Sequence, residues 1–326
     1  MPAPFPFLKG HGTENDFVLL PDPDGSVHGD LDPALVAALC HRRAGIGGDG
    51  VIRVVRTAAC DDPAAVSARG EAEWFMDYRN SDGSLSQMCG NGVRLFARYL
   101  AEHEQVDTSR PLPVATRAGT KTLTFEEDGY ITADMGPAEV FEETKVGVGD
   151  RSWPALHVSM GNPHAVALVE SLDDAGSLRD APTYDRAVFP EGVNVEFVAR
   201  RGPEHLAMRV YERGSGETRS CGTGACAAVV AAVVGDQPTA RGEETHGSGG
   251  RNPRLGGEAR YRVDVPGGEL TVSWTADGRV LLGGPAVIVA AGSVSKSLAD
   301  AARGMRRSDG AGAGNRTGAA GVDAPG

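Results

Sequence analysis

Cysteine, basic charge and long apolar runs are all scarce in this chain. Its five cysteines among 326 residues are few and odd in number, which excludes a disulfide scaffold. Lys and Arg total 32 against 44 Asp and Glu, a net charge of −12. Such a surface disfavours nucleic acid, which needs a basic face. The longest apolar run, Ala225 to Val234, has 10 residues, about half of a membrane span. The opening "MPAPFPFLKG" lacks the basic start and continuous apolar core of a signal peptide. A cytoplasmic protein, with no membrane and no nucleic-acid partner, is the expectation. The length allows a large core and two domains, and 40% hydrophobic with 23% charged residues is ordinary for a soluble chain.

What is present reads mostly as strands. "TLTFEEDGYITAD" turns at Asp128-Gly129 and "RYRVDVPGGELTVSW" at Pro266-Gly267-Gly268, both between alternating runs. Further strand candidates are 73–79, 194–200, 205–212 and 279–291. Helices are fewer. Asp32 as N-cap and Pro33 behind it start one through "ALVAALCHRR". The segment 92–103 places Val93, Phe96, Ala97 and Leu100 at helical spacing. "GACAAVVAAVV" is apolar all round and should be buried on every side. The sum is a mixed α/β (α+β) chain with two lobes. Residues 237–258 read as a mobile loop, and the Gly/Ala-rich stretch 303–326 as a disordered tail.

Chemistry concentrates in two similar stretches, "MCGNGVRLFARYL" around Cys89 and "RSCGTGACAAVV" around Cys221. Each sets a cysteine in a glycine turn at the mouth of a helix. Unpaired N–H groups and the positive dipole end there favour a thiolate, and about 1.5 pKa units of lowering is worth roughly 2 kcal/mol. The same N–H groups suit a carboxylate. Two facing thiols supply what inversion of a carbon centre requires, a base on one side and an acid on the other. Cys40, Cys60 and Cys226 have no such frame and read as small buried hydrophobes. Metal-ligand spacing is absent, so no metal is expected. No lysine stands in a phosphate-cradling context, so no pyridoxal phosphate or other cofactor is expected either.

At these residues the chain resembles the diaminopimelate epimerase family, over roughly residues 7 to 292. The match is carried by "KGHGTENDFVLL", "NSDGSLSQMCGNGVR", "MGNPHAV", "GVNVEF" and "YERGSGETRSCGTGACA". Proline racemases of the wider superfamily carry His after the first Cys-Gly, where this chain has Asn91. The resemblance implies two pseudo-symmetric lobes, each a curled mixed sheet around a central helix, with the site in the cleft. The lobes would be 1–134 plus 277–302, carrying Cys89, and 135–276, carrying Cys221.

It further implies cofactor-independent epimerisation between LL- and meso-diaminopimelate, in lysine and peptidoglycan precursor synthesis, with Cys89 and Cys221 as the acid/base pair. Gly90, Asn91, Gly222 and Thr223 would hold the reacting end of the substrate. Asn15, Asn80, Asn162, Asn194, Glu212 and Arg213 would bind the rest, with His164 and Glu212 supporting catalysis. Asn amides both donate and accept, and Arg213 can grip a carboxylate bidentately. Some family members have Gln in the segment matching "GGDGVIR", where Gly50 stands here. A C-terminal Tyr linked to dimer contacts in some relatives is missing around Ala290, which leaves a homodimer open. Three other readings compete: a racemase of proline or a similar amino acid, a thiol hydrolase or acyltransferase with one Cys and His164 as base, and a non-catalytic metabolite-binding protein.

Overall fold

Alternating apolar residues and short glycine turns build a sheet of 18 strands, all joined by hydrogen bonds, in a computed structural model that describes residues 4–236 and 258–300. The loop expected at 237–258 lies outside the described residues except for Glu258, and the tail expected at 303–326 lies wholly outside them.

The strand pairings repeat. In the first half the strand Phe5–Gly12 pairs antiparallel with Asn15–Pro21, which runs parallel to Gly50–Arg56. Trp74–Asn80 follows antiparallel and Leu112–Thr116 parallel, and Gly119–Phe125 and Ile131–Pro137 close the series antiparallel. The second half runs in the same order. Arg151–Ser159, Pro163–Leu168, Asn194–Gly202, His205–Glu212, Ala259–Val265, Gly268–Trp274 and Arg279–Gly284 pair antiparallel, parallel, antiparallel, parallel, antiparallel and antiparallel.

A parallel neighbour needs a crossover, usually a helix. The third helix, α3 (Gly90–His103), crosses over between Trp74–Asn80 and Leu112–Thr116. The fourth, α4 (Gly222–Gly235), does so between His205–Glu212 and Ala259–Val265. Each helix is thereby wrapped by its own strands, and 11 residues of α4 are buried, as its uniform Ala/Val composition implies. Both helices lie in one apolar cluster, with Phe96, Leu100, Val229, Val230 and Trp274 among its members. The halves also join edge to edge, because Arg279–Gly284 pairs with both Gly268–Trp274 and Ile131–Pro137.

Two shorter helices, α1 (Pro33–Cys40) and α2 (Pro63–Ser67), cover outer faces of the first half. Asp32 caps α1 by accepting from the Ala34 amide. The helix stops at Cys40, short of the expected Arg43, because the His41 ring accepts from the Arg43 and Ala44 amides at 3.2 and 2.9 Å. The apolar run 279–291, taken as one strand candidate, is two strands, Arg279–Gly284 and Val287–Val294, parted at Pro285, which has no N–H for a ladder. Val287–Val294 returns to pair with Phe5–Gly12. Among the described residues no helix is long and apolar enough to cross a membrane.

Candidate active site

Cys89 and Cys221 are the N-caps of α3 and α4, with similar extended backbones (φ/ψ −139/124 and −123/114). The glycine after each cysteine is required by a close approach. A Cβ on Gly90 would lie 2.7 Å from Leu282 Cδ2, and one on Gly222 would lie 2.9 Å from the same atom. The Gly222 Cβ would also stand 3.4 Å from Gly90 Cα and 3.5 Å from the Asn91 nitrogen. The two helix entrances therefore meet beside Leu282, with no room for a side chain on either first residue.

Hydrogen bonds tie the entrances together. The Asn91 amide donates to the Ser220 hydroxyl at 3.2 Å and to the Ser220 carbonyl at 3.4 Å. It also donates to Asn15 Oδ1 at 3.2 Å, and the Cys89 thiol donates to that oxygen at 3.4 Å. Asp49 fixes Asn15 by accepting from its Nδ2 at 2.7 Å. A second bridge joins the Thr13 and Ser220 hydroxyls at 2.6 Å. On the other side, Cys221 Sγ accepts from the Gly224 amide at 3.4 Å and lies 3.5 Å from the Thr223 hydroxyl. Asn162 Nδ2 donates to that hydroxyl at 3.4 Å, and Asn162 Oδ1 lies 3.1 Å from His164 Nε2. His164 Nδ1 lies 2.6 Å from Glu196 Oε1, and both side chains are fully buried.

The thiols depart from the lowered pKa expected of a helix entrance. Burial pushes Cys89 up to about 11, against the amides of Gly92 and Asn91, which pull it down. Burial also pushes Cys221 well above the ordinary thiol range, and the Glu212 and Glu196 carboxylates add to the rise. A few N–H dipoles do not repay the loss of water around a buried sulfur anion. In this state both sulfurs hold their protons. Burial likewise raises the Glu212 carboxyl, although the Thr218 hydroxyl donates to it.

The sheet repeat explains which expected residues come together. Asn15 and Pro163 begin equivalent strands, so Asn15 and Asn162 stand at equivalent entrances. Gly50 and Asn194 begin the next pair, and Asn80 and Glu212 end the third. His164 pairs with Asn194 across the parallel ladder. Asn194 is buried and accepts from the Arg213 amide at 2.9 Å. The Arg213 side chain is exposed and packs over Gly192, donating to the Glu191 carbonyl at 3.4 Å. Asn80 does not share this network, because its side chain donates to Ser84 Oγ at 3.0 Å and closes its own turn. Cys40, Cys60 and Cys226 are buried free thiols, and burial raises each of them.

Among the contributors that escaped sequence reasoning are Asp49, Thr13, Ser220, Leu282 and Glu196. A signal existed for two of them. Glu196 lies two residues past Asn194 on one strand, hence on the same face, and Ser220 directly precedes Cys221.

A family model described as diaminopimelate epimerase matches residues 7–141 and 156–295. The chain belongs to the diaminopimelate epimerase family. The diaminopimelate epimerase of Streptomyces coelicolor is 56% identical over 289 residues, covering 88% of this chain and 94% of that protein. That of Thermobifida fusca is 49% identical over 295 residues, covering 89% and 98%. Among solved structures, a phenazine biosynthesis protein of the PhzF family from Bacillus anthracis has a TM-score of 0.63 at 16% identity, covering 90% of this chain and 99% of that one. A hydroxyproline epimerase from Agrobacterium vitis, with bound trans-4-hydroxy-L-proline, has a TM-score of 0.57 at 15% identity, covering 90% and 93%. At such identities these two show a shared fold and nothing more. For a diaminopimelate epimerase, Gly50 is the departure the structure accounts for. A Cβ there would lie 2.4 Å from the Arg79 carbonyl oxygen and 2.6 Å from Tyr78 Cε2, so no larger residue fits.

Proposed function

We propose that this chain, an isomerase of the diaminopimelate epimerase family, interconverts LL- and meso-diaminopimelate, with Cys89 and Cys221 as the two proton-transfer groups. The observation that carries the reading is the meeting of two cysteine-capped helix entrances beside Leu282. In the direction that starts from Cys89, its thiolate takes the α-proton and the C–H electron pair remains on carbon. The Cys221 thiol then donates its proton to the opposite face. One thiolate and one thiol are present before and after, with their positions exchanged, so the proton count balances and the reverse reaction uses the same groups.

The electron pair left on carbon delocalises into the α-carboxylate. N–H groups at the starts of α3 and α4, from Gly90, Asn91, Gly222 and Thr223, are suited to that developing charge. The α-ammonium of the substrate brings positive charge into the site, which lowers the cost of the thiolate that burial opposes. Arg213 suits the distal carboxylate, and Asn162, Asn194 and Glu212 suit the distal ammonium. Asn15 contacts Cys89 directly, and His164, held by Glu196, supports Asn162 and through it Thr223. Asn80 remains a binding residue in this reading only if its turn to Ser84 opens. No metal or organic cofactor takes part, and the working compartment is the cytoplasm. The lobes are proposed as 1–134 plus 277–302 and 135–276; the strand Arg279–Gly284, which closes the second series of the repeat, also pairs with Ile131–Pro137 of the first.

The test is stereochemical assay of the two diaminopimelate isomers with purified protein, alone and after exhaustive chelation. Interconversion in both directions, unaltered by chelation, is expected, with proline and hydroxyproline left unchanged. Racemised proline with untouched diaminopimelate would replace this reading with the proline racemase one.

A further inference from the structure

Arg94 stands one turn into α3 from Cys89 and is completely buried. Its Nη1 donates to the Gly90 carbonyl at 3.1 Å and its Nη2 to Asn91 Oδ1 at 2.8 Å. Two glycines make room for it. Nη2 lies 3.2 Å from where a Cβ on Gly12 would stand and 3.3 Å from where one on Gly284 would stand. Its Nε has no partner among the described residues. The groups that act on it electrostatically are Cys89, Cys226 and Tyr130, with no carboxylate among them. An unpaired buried cation is costly, and a neutral residue of similar shape would stabilise the fold more. Packing therefore does not account for it.

We propose that Arg94 is a positioning residue: it fixes Gly90 and Asn91 at the α3 entrance and is the cation against which the Cys89 thiolate forms. The inference rests on the reading of Cys89 as a proton-transfer group. Arg94 orients the Asn91 amide so that its oxygen faces inward and its nitrogen reaches Asn15 and Ser220. Without that anchor the amide is free to turn, and the bridge between the two entrances loses its donor.

The electrostatics of the two thiols differ in the same sense. Cys221 feels Glu212 and Glu196, both of which oppose its ionisation. Cys89 feels Glu212 from the strand His205–Glu212 and, more weakly, Arg94 from its own helix, which pull in opposite directions. Tyr78, on the strand Trp74–Asn80, also interacts with Cys89, and its hydroxyl is held protonated by burial. Burial brings Arg94 down from its ordinary value to about 10, so it still carries its charge at neutral pH. A buried cation favours the thiolate form of a thiol near it, and the thiolate favours the cation in turn. The thiolate therefore forms more readily at Cys89 than at Cys221.

The test is alkylation by iodoacetamide across pH 6 to 10 on the full chain without substrate, with each cysteine followed by peptide mass spectrometry. In the wild type Cys89 should be alkylated faster than Cys221 at every pH in that range, which lies below the midpoint of either thiol. Arg94→Gln should slow Cys89 alkylation at pH 8 about tenfold or more, since one pKa unit is a factor of ten in thiolate, and leave the Cys221 profile in place. Arg94→Lys, which restores the charge, should return Cys89 to within about threefold of wild type. A folded Arg94→Gln protein with an unmoved Cys89 profile would overturn the proposal. If that variant does not fold, the wild-type order decides, and faster alkylation at Cys221 overturns it. Alkylation does not depend on turnover, so failure of the epimerase reading would appear separately, as absent epimerisation with this shift intact.

Discussion

The Asn91 side chain donates to both the hydroxyl and the carbonyl of Ser220, at 3.2 and 3.4 Å, so the second residue past one cysteine is bonded to the residue just before the other. The relative placement of the two thiols is thus set by a polar contact at the meeting point of α3 and α4, and not by the bulk of the core alone. Asn91 is completely buried, which makes the contact expensive to break.

Replacing it should therefore cost catalysis more than folding. Asn91→Ala takes one partner from each of Ser220, Asn15 and Arg94. We expect kcat/KM to fall about 10²- to 10³-fold, comparable to loss of one preorganised donor at an active site. Thermal unfolding should show a loss of only about 1–3 kcal/mol. A folded variant that turns over within a few-fold of wild type would mean that the bridge does not set the geometry.

Gly222→Ala probes the close approach itself. Its Cβ would fall 2.9 Å from Leu282 Cδ2, and relieving that clash should push the two entrances apart. An overpacking cost of about 1–3 kcal/mol is expected, with kcat reduced at least about tenfold. Leu282→Val removes the clashing atom, so the double variant should recover part of the lost turnover. Additive losses in the double variant would place the defect elsewhere.

The pH dependence follows from two thiols raised by burial. Cys89 must lose its proton to act as base, and burial places its pKa at about 11. Below that value the thiolate fraction grows tenfold per pH unit, so log(kcat/KM) should climb with a slope near 1 from about pH 6 to 8.5. Cys221 must keep its proton, and its pKa is raised well above the ordinary range. No descending limb from Cys221 should appear in that window. A plateau already reached at pH 7 would show that a thiolate exists in the free enzyme.

Stability should respond to alkali for the same reason. Cys226 is completely buried, with its pKa pushed up to about 12. The folded protein holds this proton after the unfolded chain has lost it, so the stabilisation is full below about pH 8.5 and falls as pH rises towards 12. By pH 10 the loss is about 2 kcal/mol for such a thiol. Urea unfolding at pH 7.5 and pH 10 should show Cys226→Ala losing less stability between the two than wild type does. Equal losses would mean that this thiol ionises freely in the fold.

Much of the architecture was legible because it rests on local signals. Alternation marked the strand from His205, Asp128-Gly129 and Pro266-Gly267 marked the hairpins, and uniform apolarity marked α4 as a buried helix. The repeated Cys-Gly-Xaa-Gly drew attention to two helix entrances, which the sheet repeat then placed at equivalent crossovers. What could not be read is long-range. Asp49 beneath Asn15, Glu196 behind His164 and Arg94 behind Asn91 matter through contacts that depend on which strands become neighbours. The thiol pKa was misread for a related reason: a dipole is visible in a glycine turn, whereas burial depends on everything packed around it. Asn80 shows the converse, since its "NSDGS" context names both a binding residue and a turn, and the side chain forms the turn.

The measurement that bears most directly on two-thiol epimerisation is solvent isotope entry during the first few per cent of reaction. LL-diaminopimelate is incubated with the protein in deuterium oxide, and the recovered substrate and the meso product are separated and analysed by mass spectrometry. A proton removed by Cys89 and a deuteron delivered by Cys221 should leave one deuterium at the inverted carbon of the product and almost none in the remaining substrate. Cys89→Ala and Cys221→Ala should each abolish product formation. Equal label in substrate and product, or unlabelled product, would mean that one group works on both faces and would contradict the account.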